Sequence, residues 1–374
     1  MLFSEVIGQK EIKKRLIEGV QENRISHALL FSGPEGTGKL AMAIAYAQYI
    51  NCRNRSETDA CGECPSCKKY KKLIHPDLHF VFPVIKNAKF KDPVSDNFID
   101  KWREQVLKNP YFNISQWNEV IDVENSQGQI YTSESSEIIR KLNLKTFEAE
   151  YKVMIVWMSE RMNTVCANKL LKMIEEPPPK TLFILITESE DQLLTTIKSR
   201  TQLVKFTGID TDSMIRALES NPATTGKNLK GLAHLANGNY ISALEILSPN
   251  EQNQMNFGQF TSIMRTAYKR DWTALFSWVD EVSGLGREQQ KSFLLMSMKM
   301  IRENFILNFK QPDIVFLNEA ERTFSEKFSP FINERNILVF SDEFEKAFRD
   351  ISQNGNPRII FLDLALKITK MIRA

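Results

Sequence analysis

Eight residues near the start of the sequence form a glycine-rich run that is typical of a phosphate-binding loop. The run is Gly33-Pro34-Glu35-Gly36-Thr37-Gly38-Lys39-Leu40. Its glycines let backbone N–H groups surround a phosphate, and the lysine supplies a positive charge. The last position normally carries Ser or Thr, whose hydroxyl binds Mg²⁺, but Leu40 has no oxygen. The loop leaves ATP or ADP binding open, with Lys39 either directed at phosphate or a vestige, and it argues against Mg²⁺ binding.

Four cysteines follow the loop, at Cys52, Cys61, Cys64 and Cys67. Four thiolates satisfy tetrahedral Zn²⁺, and the short C-x₂-C turns allow neighbouring sulfurs to face one ion. With no open ligand position, such a site is structural. Unrelated buried thiols and a redox-active cysteine pair are the alternatives. The fifth cysteine, Cys166, lies on a predicted helix and is expected to be a small core residue.

The composition is that of an ordinary globular protein. The chain has 374 residues, which suggests two or three domains, and 42% of them are apolar and 25% charged. A net charge of +3 does not mark a DNA-coating protein. No apolar run reaches the roughly 18–20 residues that span a membrane, and the N-terminus lacks the pattern of a signal peptide. We therefore expect a cytoplasmic protein that does not bind membranes.

The elements around the glycine loop indicate an α/β fold. A short apolar run at residues 28–32 leads into the loop, and an alanine-rich helix is predicted over 40–50, which is the context that a phosphate-binding loop requires. Apolar runs at 153–157 and 182–187 indicate two more strands. Residues 163–176 have helical spacing, and three prolines after residue 176 end the predicted helix. Strands that alternate with helices predict a parallel sheet.

Changes in sequence character predict three domains. Residues 1–208 form the phosphate-loop domain, with the cysteine module at 52–67 and an insertion of mixed loops and helices at about 84–135. Residues 209–250 form a small helical domain, and residues 251–374 form a bundle of longer helices.

The insertion carries aromatic residues close to basic ones: Trp102, Phe112, Trp117, Lys101, Arg103 and Lys108. Such a set can bind single-stranded nucleic acid. Aromatic residues are more often packed in a core. Both interpretations follow from the sequence, with packing favoured.

Several segments resemble one family. They are Phe3-Ser4-Glu5-Val6-Ile7-Gly8-Gln9, the run from Arg24 to Gly33, Leu170-Leu171-Lys172-Met173-Ile174-Glu175-Glu176-Pro177-Pro178 and Thr196-Ile197-Lys198-Ser199-Arg200-Thr201. Together with the four-cysteine module, they resemble the AAA+ clamp-loader subunits of bacterial DNA polymerase III. The resemblance implies an AAA+ domain, a helical lid and a C-terminal helical collar.

The departures from the family pattern concern catalysis. Family ATPases carry two acids after the second strand, and these positions hold Trp157 and Met158 here. Ile241 stands where active subunits carry an arginine, and Thr187 matches the position called sensor 1. Together with Leu40, these substitutions favour an AAA+ module that has lost ATP hydrolysis.

The resemblance gives Arg200 a different role. It implies an arginine finger that acts in trans on the nucleotide of a neighbouring subunit, although a surface arginine is most often a solvated charge. The implied partners are delta and gamma/tau subunits in a heteropentameric ring that loads a sliding clamp onto primed DNA. Two alternatives stay open: an ATP-hydrolysing gamma/tau-type subunit, and a zinc-containing nucleic-acid binder with a decayed ATPase fold.

Overall fold

The computed structural model describes residues 1–86, 90–121, 128–221, 224, 229–247, 251–309, 315 and 317–373. The chain divides into two compact units, Met1–Leu244 and Glu245–Ala374. The predicted boundary at residue 250 lies outside the described residues, and the boundary at residue 208 stays a prediction. Within the described part of the chain, no helix has the length and apolar character needed to cross a membrane.

The first unit is built on a five-stranded sheet in the order β2-β3-β4-β1-β5. Its strands are β1 Ala28–Ser32, β2 Leu78–Val81, β3 Lys152–Val156, β4 Thr181–Thr187 and β5 Gln202–Lys205. Every neighbouring pair is parallel. The strands β1, β3 and β4 are buried along their whole length, which is why they occur as continuous apolar runs. The predicted α/β fold with a parallel sheet is confirmed.

Eleven described helices accompany this sheet or extend from it: α1 Lys10–Gln21, α2 Lys39–Ile50, α3 Pro65–Lys71, α4 Ile99–Lys108, α5 Ile114–Val120, α6 Thr132–Asn143, α7 Thr164–Glu175, α8 Thr195–Lys198, α9 Thr211–Glu219, α10 Leu229–Ala236 and α11 Tyr240–Leu247. The side chain of Asn163 caps α7 by accepting the N–H of Cys166 at 2.7 Å. Cys166 is fully buried, as expected of a core residue.

The described part of the insertion is a packed aromatic substructure. The ring of Trp102 stacks on Phe82 with centroids 4.2 Å apart. The indole N–H of Trp117 donates to the Pro83 carbonyl at 2.8 Å. Both tryptophans are fully buried, so the packed interpretation of these aromatics is confirmed and they offer no stacking surface to nucleic acid.

The second unit contains the helices α12 Glu251–Lys269, α13 Trp272–Ser283, α14 Arg287–Leu307, α15 Glu319–Phe328, α16 Ile337–Ser352 and α17 Pro357–Met371. Helix α14 packs against α12 and α16, and α17 packs against α12, α13 and α16. Phenylalanines at 260, 293, 340, 344 and 361 are fully buried in its core. The predicted bundle of longer helices is therefore observed.

Candidate functional site

The glycine loop lies at the carboxyl edge of the sheet, between the end of β1 and the start of α2. Gly36 and Gly38 have φ angles of 71° and 86°, which glycine adopts without strain. Helix α2 starts at Lys39. This arrangement of strand, loop and helix is the one in which backbone N–H groups can receive a phosphate.

The charge of Lys39 is directed at its own loop. Its side chain is 6% exposed. The ammonium donates to the carbonyl oxygens of Gly33 at 2.7 Å and Pro34 at 2.5 Å. The hydroxyl of Thr37 also donates to the Pro34 carbonyl, at 2.9 Å. The loop thus satisfies its cation with its own backbone.

Three carboxyl groups act electrostatically on the same ammonium group. They belong to Glu35 in the loop, Glu160 in a 3₁₀ turn at Ser159–Arg161, and Glu188 just after β4. Burial lowers the pKa of Lys39, and attraction to Glu188, Glu160 and Glu35 opposes that shift. Burial also raises the pKa of Glu188, to about 7, while Lys39 opposes it. Carboxyl groups of this chain therefore act on the ammonium group that a phosphate would otherwise contact.

Tyr111, from the insertion, covers the end of the loop. A Cβ atom on Gly38 would lie 2.9 Å from the Tyr111 hydroxyl oxygen. That oxygen accepts the backbone N–H of Ile7 at 2.9 Å. The ring packs edge-on against Tyr240, with centroids 5.1 Å apart. One side chain of the insertion therefore links the N-terminal segment, the glycine loop and the start of α11.

The segment before α11 closes the middle of the loop. The backbone N–H of Tyr240 donates to the Gly36 carbonyl at 3.1 Å. A Cβ atom on Gly36 would overlap with the side-chain amide of Asn239. The amide of Gln9 donates to the Thr37 carbonyl at 3.2 Å. Residues from both ends of the first unit therefore hold the loop through its carbonyl oxygens.

The positions predicted to match the metal-binding acids of family ATPases are packed. Trp157 is 4% exposed, and its ring centroid lies 5.3 Å from that of Trp102 and 5.1 Å from that of Phe112. Met158 is also buried. Leu40 and Ile241, the other two substituted positions, are buried as well. All four side chains are therefore apolar packing groups without an oxygen for a metal ion.

Thr187 is the last residue of β4, opposite Ser32 of β1. The carbonyl of Thr187 accepts the N–H of Gly33 at 3.4 Å. Its buried hydroxyl donates to the Ser189 carbonyl at 3.1 Å. Thr187, which is predicted to match the sensor 1 position, thus lies beside the glycine loop, as adjacent parallel strands require.

Arg200 does not belong to the residues around the glycine loop; it lies in the turn that follows α8. Its side chain is 32% exposed. The Nε atom donates to Oε2 of Glu175 at 2.7 Å, and Nη1 donates to the Thr196 carbonyl at 3.1 Å. Arg200 is therefore a partly exposed guanidinium with a fixed direction.

The four predicted zinc ligands converge between α2 and α3. The sulfurs of Cys52, Cys61, Cys64 and Cys67 all lie within 4.8 Å of one another. Cys52 and Cys61 Sγ are 3.5 Å apart, and Cys61 and Cys67 Sγ are 3.9 Å apart. Tetrahedral Zn²⁺ with bonds of about 2.3 Å needs sulfurs about 3.8 Å apart. The cluster therefore fits a tetrahedral ion.

Backbone groups prepare these sulfurs to bind metal. The N–H groups of Cys61, Cys64 and Cys67 donate to the sulfurs of Cys52, Cys61 and Cys64 at 3.3, 3.4 and 3.5 Å. Donation by Cys64 and Glu63 lowers the pKa of the Cys61 thiol to about 6. Burial raises the pKa of the Cys52 and Cys67 thiols. The backbone donors therefore favour the thiolate, which is the form that coordinates zinc, at Cys61 in particular.

A family model described as "DNA polymerase III, delta subunit" matches residues 8–210, more than half of the chain. The chain belongs to the DNA polymerase III delta subunit family. The match contains the glycine loop, the cysteine cluster, the insertion and Arg200. The predicted membership of the clamp-loader family is thereby confirmed.

Relatives of this family member include more than one subunit type. DNA polymerase III subunit delta' of Bacillus subtilis is 27% identical, and the alignment covers 81% of this chain and 78% of the relative. Subunit tau of the same organism is 28% identical, with 98% of this chain and 61% of the relative covered. Subunit gamma/tau of Mycobacterium tuberculosis is 29% identical over 54% of this chain and 28% of its own length. The chain is thus a DNA polymerase III clamp-loader subunit of the delta'/gamma/tau kind.

Solved structures similar to this family member include a DNA polymerase III gamma subunit-related protein from Thermotoga maritima. It is 15% identical with a TM-score of 0.37, and the alignment covers 97% of this chain and 99% of that one. The RuvB Holliday junction branch migration motor of the same organism is 13% identical with a TM-score of 0.39, over 66% and 62% of the two chains.

Sequence reasoning missed the residues that fill the loop region of this family member. Glu188 follows a predicted strand, and parallel strands bring their carboxyl ends to one edge, so it could have been placed near Lys39. Glu160 lies in a 3₁₀ turn after β3 and accepts the N–H of Glu188 at 3.0 Å. Tyr111 carried no local signal, because its partners are distant in sequence.

Proposed function

We propose that this chain is the delta-prime subunit of a bacterial replicative clamp loader and that it does not hydrolyse ATP. One observation carries the proposal: the glycine loop satisfies Lys39 internally. Buried apolar side chains hold the positions of the metal ligands. Phosphoryl transfer depends on charge stabilisation by a metal ion and by fixed donors, and these residues supply neither.

The catalytic contribution of the subunit is made in trans by Arg200. Its guanidinium is partly exposed and fixed in direction, whereas Lys39 is buried. An arginine finger contributes roughly 10³–10⁵ in rate where a γ-phosphate is transferred. The subunit therefore acts as a cytoplasmic stator that completes the ATP site of a neighbouring gamma/tau subunit.

Assembly with delta and gamma/tau subunits uses the second unit, and the complex places the sliding clamp on primed DNA. Several large apolar side chains of this unit are exposed, among them Trp272, Phe276, Leu338 and Ile359. Exposed apolar groups of this kind support association with other chains. Contacts with the clamp and DNA are made through the assembled complex.

The proposal is tested by single-turnover ATP hydrolysis in the complex reconstituted with the partner subunits of the same source. Replacing Arg200 with Ala should slow hydrolysis at the neighbouring site by roughly 10³-fold. Size-exclusion chromatography should show that the complex still assembles. Unchanged hydrolysis in an assembled complex would remove the role of Arg200.

The ATP-hydrolysing gamma/tau-type subunit remains the second candidate, favoured by the alignment with tau over 98% of this chain. It predicts Mg²⁺-dependent ATP turnover by the purified chain alone. We expect no turnover above background. A rate that rises with Mg²⁺ and falls in a Lys39→Ala variant would support the second candidate.

We also infer that the four cysteines hold one structural Zn²⁺ ion. Zinc would cross-link the end of α2 to the start of α3, and the thiolates, held by backbone N–H groups, would be its ligands. Metal analysis should give about one equivalent per chain. A clear deficit in protein purified without chelator would count against the site.

A further inference from the structure

The guanidinium group of Arg200 is held by two acceptors that come from different elements. Glu175, the last residue of α7, accepts from Nε at 2.7 Å. The carbonyl of Thr196, in α8, accepts from Nη1 at 3.1 Å. Two bonds to separate atoms of a planar group fix both its position and its plane.

The N–H donors of Arg200 that remain unused indicate what kind of ligand the group can bind. A guanidinium has five N–H donors, and these two bonds leave three of them, including both on Nη2. Within the described residues, no hydrogen bond engages Nη2. Arginine binds phosphate oxygens best through paired donors in one plane. A guanidinium anchored on one side and open on the other suits an anion that arrives from outside the chain.

The ion pair itself contributes little to folding. The Glu175 side chain is 54% exposed and that of Arg200 is 32% exposed. Ion pairs in contact with water add little stability, because solvent screens them and ordering two long side chains costs entropy. The effect of this ion pair is therefore on orientation. An arginine side chain that is already ordered loses less conformational entropy when an anion binds.

We propose that Glu175 is a positioning residue that orients Arg200 toward a phosphate group of the nucleotide in the neighbouring subunit. This inference rests on the proposed function, because it requires Arg200 to act in trans. Glu175 does not touch the phosphate; it acts through Nε of Arg200. The carboxylate also keeps the arginine from turning back onto its own surface.

The chain offers a matched control next to Glu175. Glu176 is exposed, and its side chain makes no ion pair in the described part of the chain. Glu175→Gln and Glu176→Gln therefore remove the same charge one residue apart. We expect Glu175→Gln to slow single-turnover hydrolysis at the neighbouring site about tenfold, and Glu176→Gln to leave it within twofold. The conservative variant Glu175→Asp keeps the charge and should retain more activity than Glu175→Gln.

A double-mutant cycle with Arg200→Ala separates orientation from a structural role. If Glu175 acts through Arg200, Glu175→Gln will have no further effect once Arg200 is Ala. A slowing that persists in the Arg200→Ala background would overturn the inference, as would equal rates for Glu175→Gln and Glu176→Gln. Faster hydrolysis in Glu175→Gln would show that the carboxylate competes with the phosphate for the arginine and would also overturn the inference. If Arg200→Ala itself changes nothing in an assembled complex, the proposed function fails instead.

Discussion

The glycine loop and the Arg200 turn each carry a cation suited to phosphate, and they differ in where that cation is directed. Lys39 is 6% exposed and donates to two carbonyls of its own loop. Arg200 is 32% exposed and uses two of its donors to fix its direction. The first cation is satisfied within the chain, and the second keeps donors for another molecule. A motif indicates which chemistry a loop is built for, but the acceptors around its cation decide whether that chemistry is available.

The largest expected effect is on the free energy of unfolding, at the packed position Trp157. Replacing buried Trp157 with Ala should lower the free energy of unfolding by about 3–5 kcal/mol, because a cavity would open beside Trp102 and Phe112. Arg200→Ala should cost less than about 1 kcal/mol. Urea unfolding followed by circular dichroism measures both. A loss below about 1 kcal/mol for Trp157→Ala would contradict the packing role.

A pH-dependent effect is expected at Glu188. Because burial raises its pKa from 4.5 to about 7, the folded state favours the protonated carboxyl. That contribution is fully present below pH 4.5 and is lost as the pH rises through 7. Glutamine has the shape of a protonated glutamate and carries no charge. The free energy of unfolding of the Glu188→Gln variant, relative to that of the unchanged protein, should therefore rise between pH 4.5 and pH 7 by on the order of 1–3 kcal/mol. Urea midpoints at pH values on both sides of this range measure the difference.

The matched control for that experiment is Asp191→Asn, since Asp191 is exposed. Its effect on the urea midpoint should be small, because substitutions of exposed side chains change stability little. A Glu188→Gln difference that is flat with pH would mean that Glu188 stays ionised in the folded protein, with Lys39 as its counter-ion.

The smallest effect is expected for Lys39→Ala in the assembled complex. Since Lys39 serves its own loop, single-turnover hydrolysis should stay within twofold, against the large loss for Arg200→Ala. A tenfold slowing in a complex that still assembles would show that the loop takes part in catalysis, and the contrast between the two cations would be lost.

Much of the fold follows from local sequence. The strands predicted at 28–32, 153–157 and 182–187 are observed at Ala28–Ser32, Lys152–Val156 and Thr181–Thr187, because buried parallel strands are continuous apolar runs. The sequence predicts the cysteine cluster for a similar reason, since the geometry of a metal site fixes the spacing of ligands that lie a few residues apart.

What could not be predicted depends on distant contacts. The short strands β2 and β5 have four residues each, too few for a clear pattern, and they are defined by their neighbours in the sheet. The pairing of Arg200 with Glu175 joins residues 25 apart, and no spacing rule connects them. The motif around Arg200 indicated a role for the arginine, but its direction became visible only in three dimensions.

The contacts that close the glycine loop also bear on the order in which the chain folds. The Tyr111 hydroxyl meets the N–H of Ile7 across 104 positions, and the amide of Asn239 lies 3.4 Å from the Glu35 carboxylate across 204 positions. Contacts so far apart in sequence form late, because a long segment must first be brought together. During synthesis on the ribosome, the loop emerges early but meets its last partners only after residue 240. A nascent chain would therefore carry the glycine loop without the contacts that Tyr111 and Asn239 make in the finished protein.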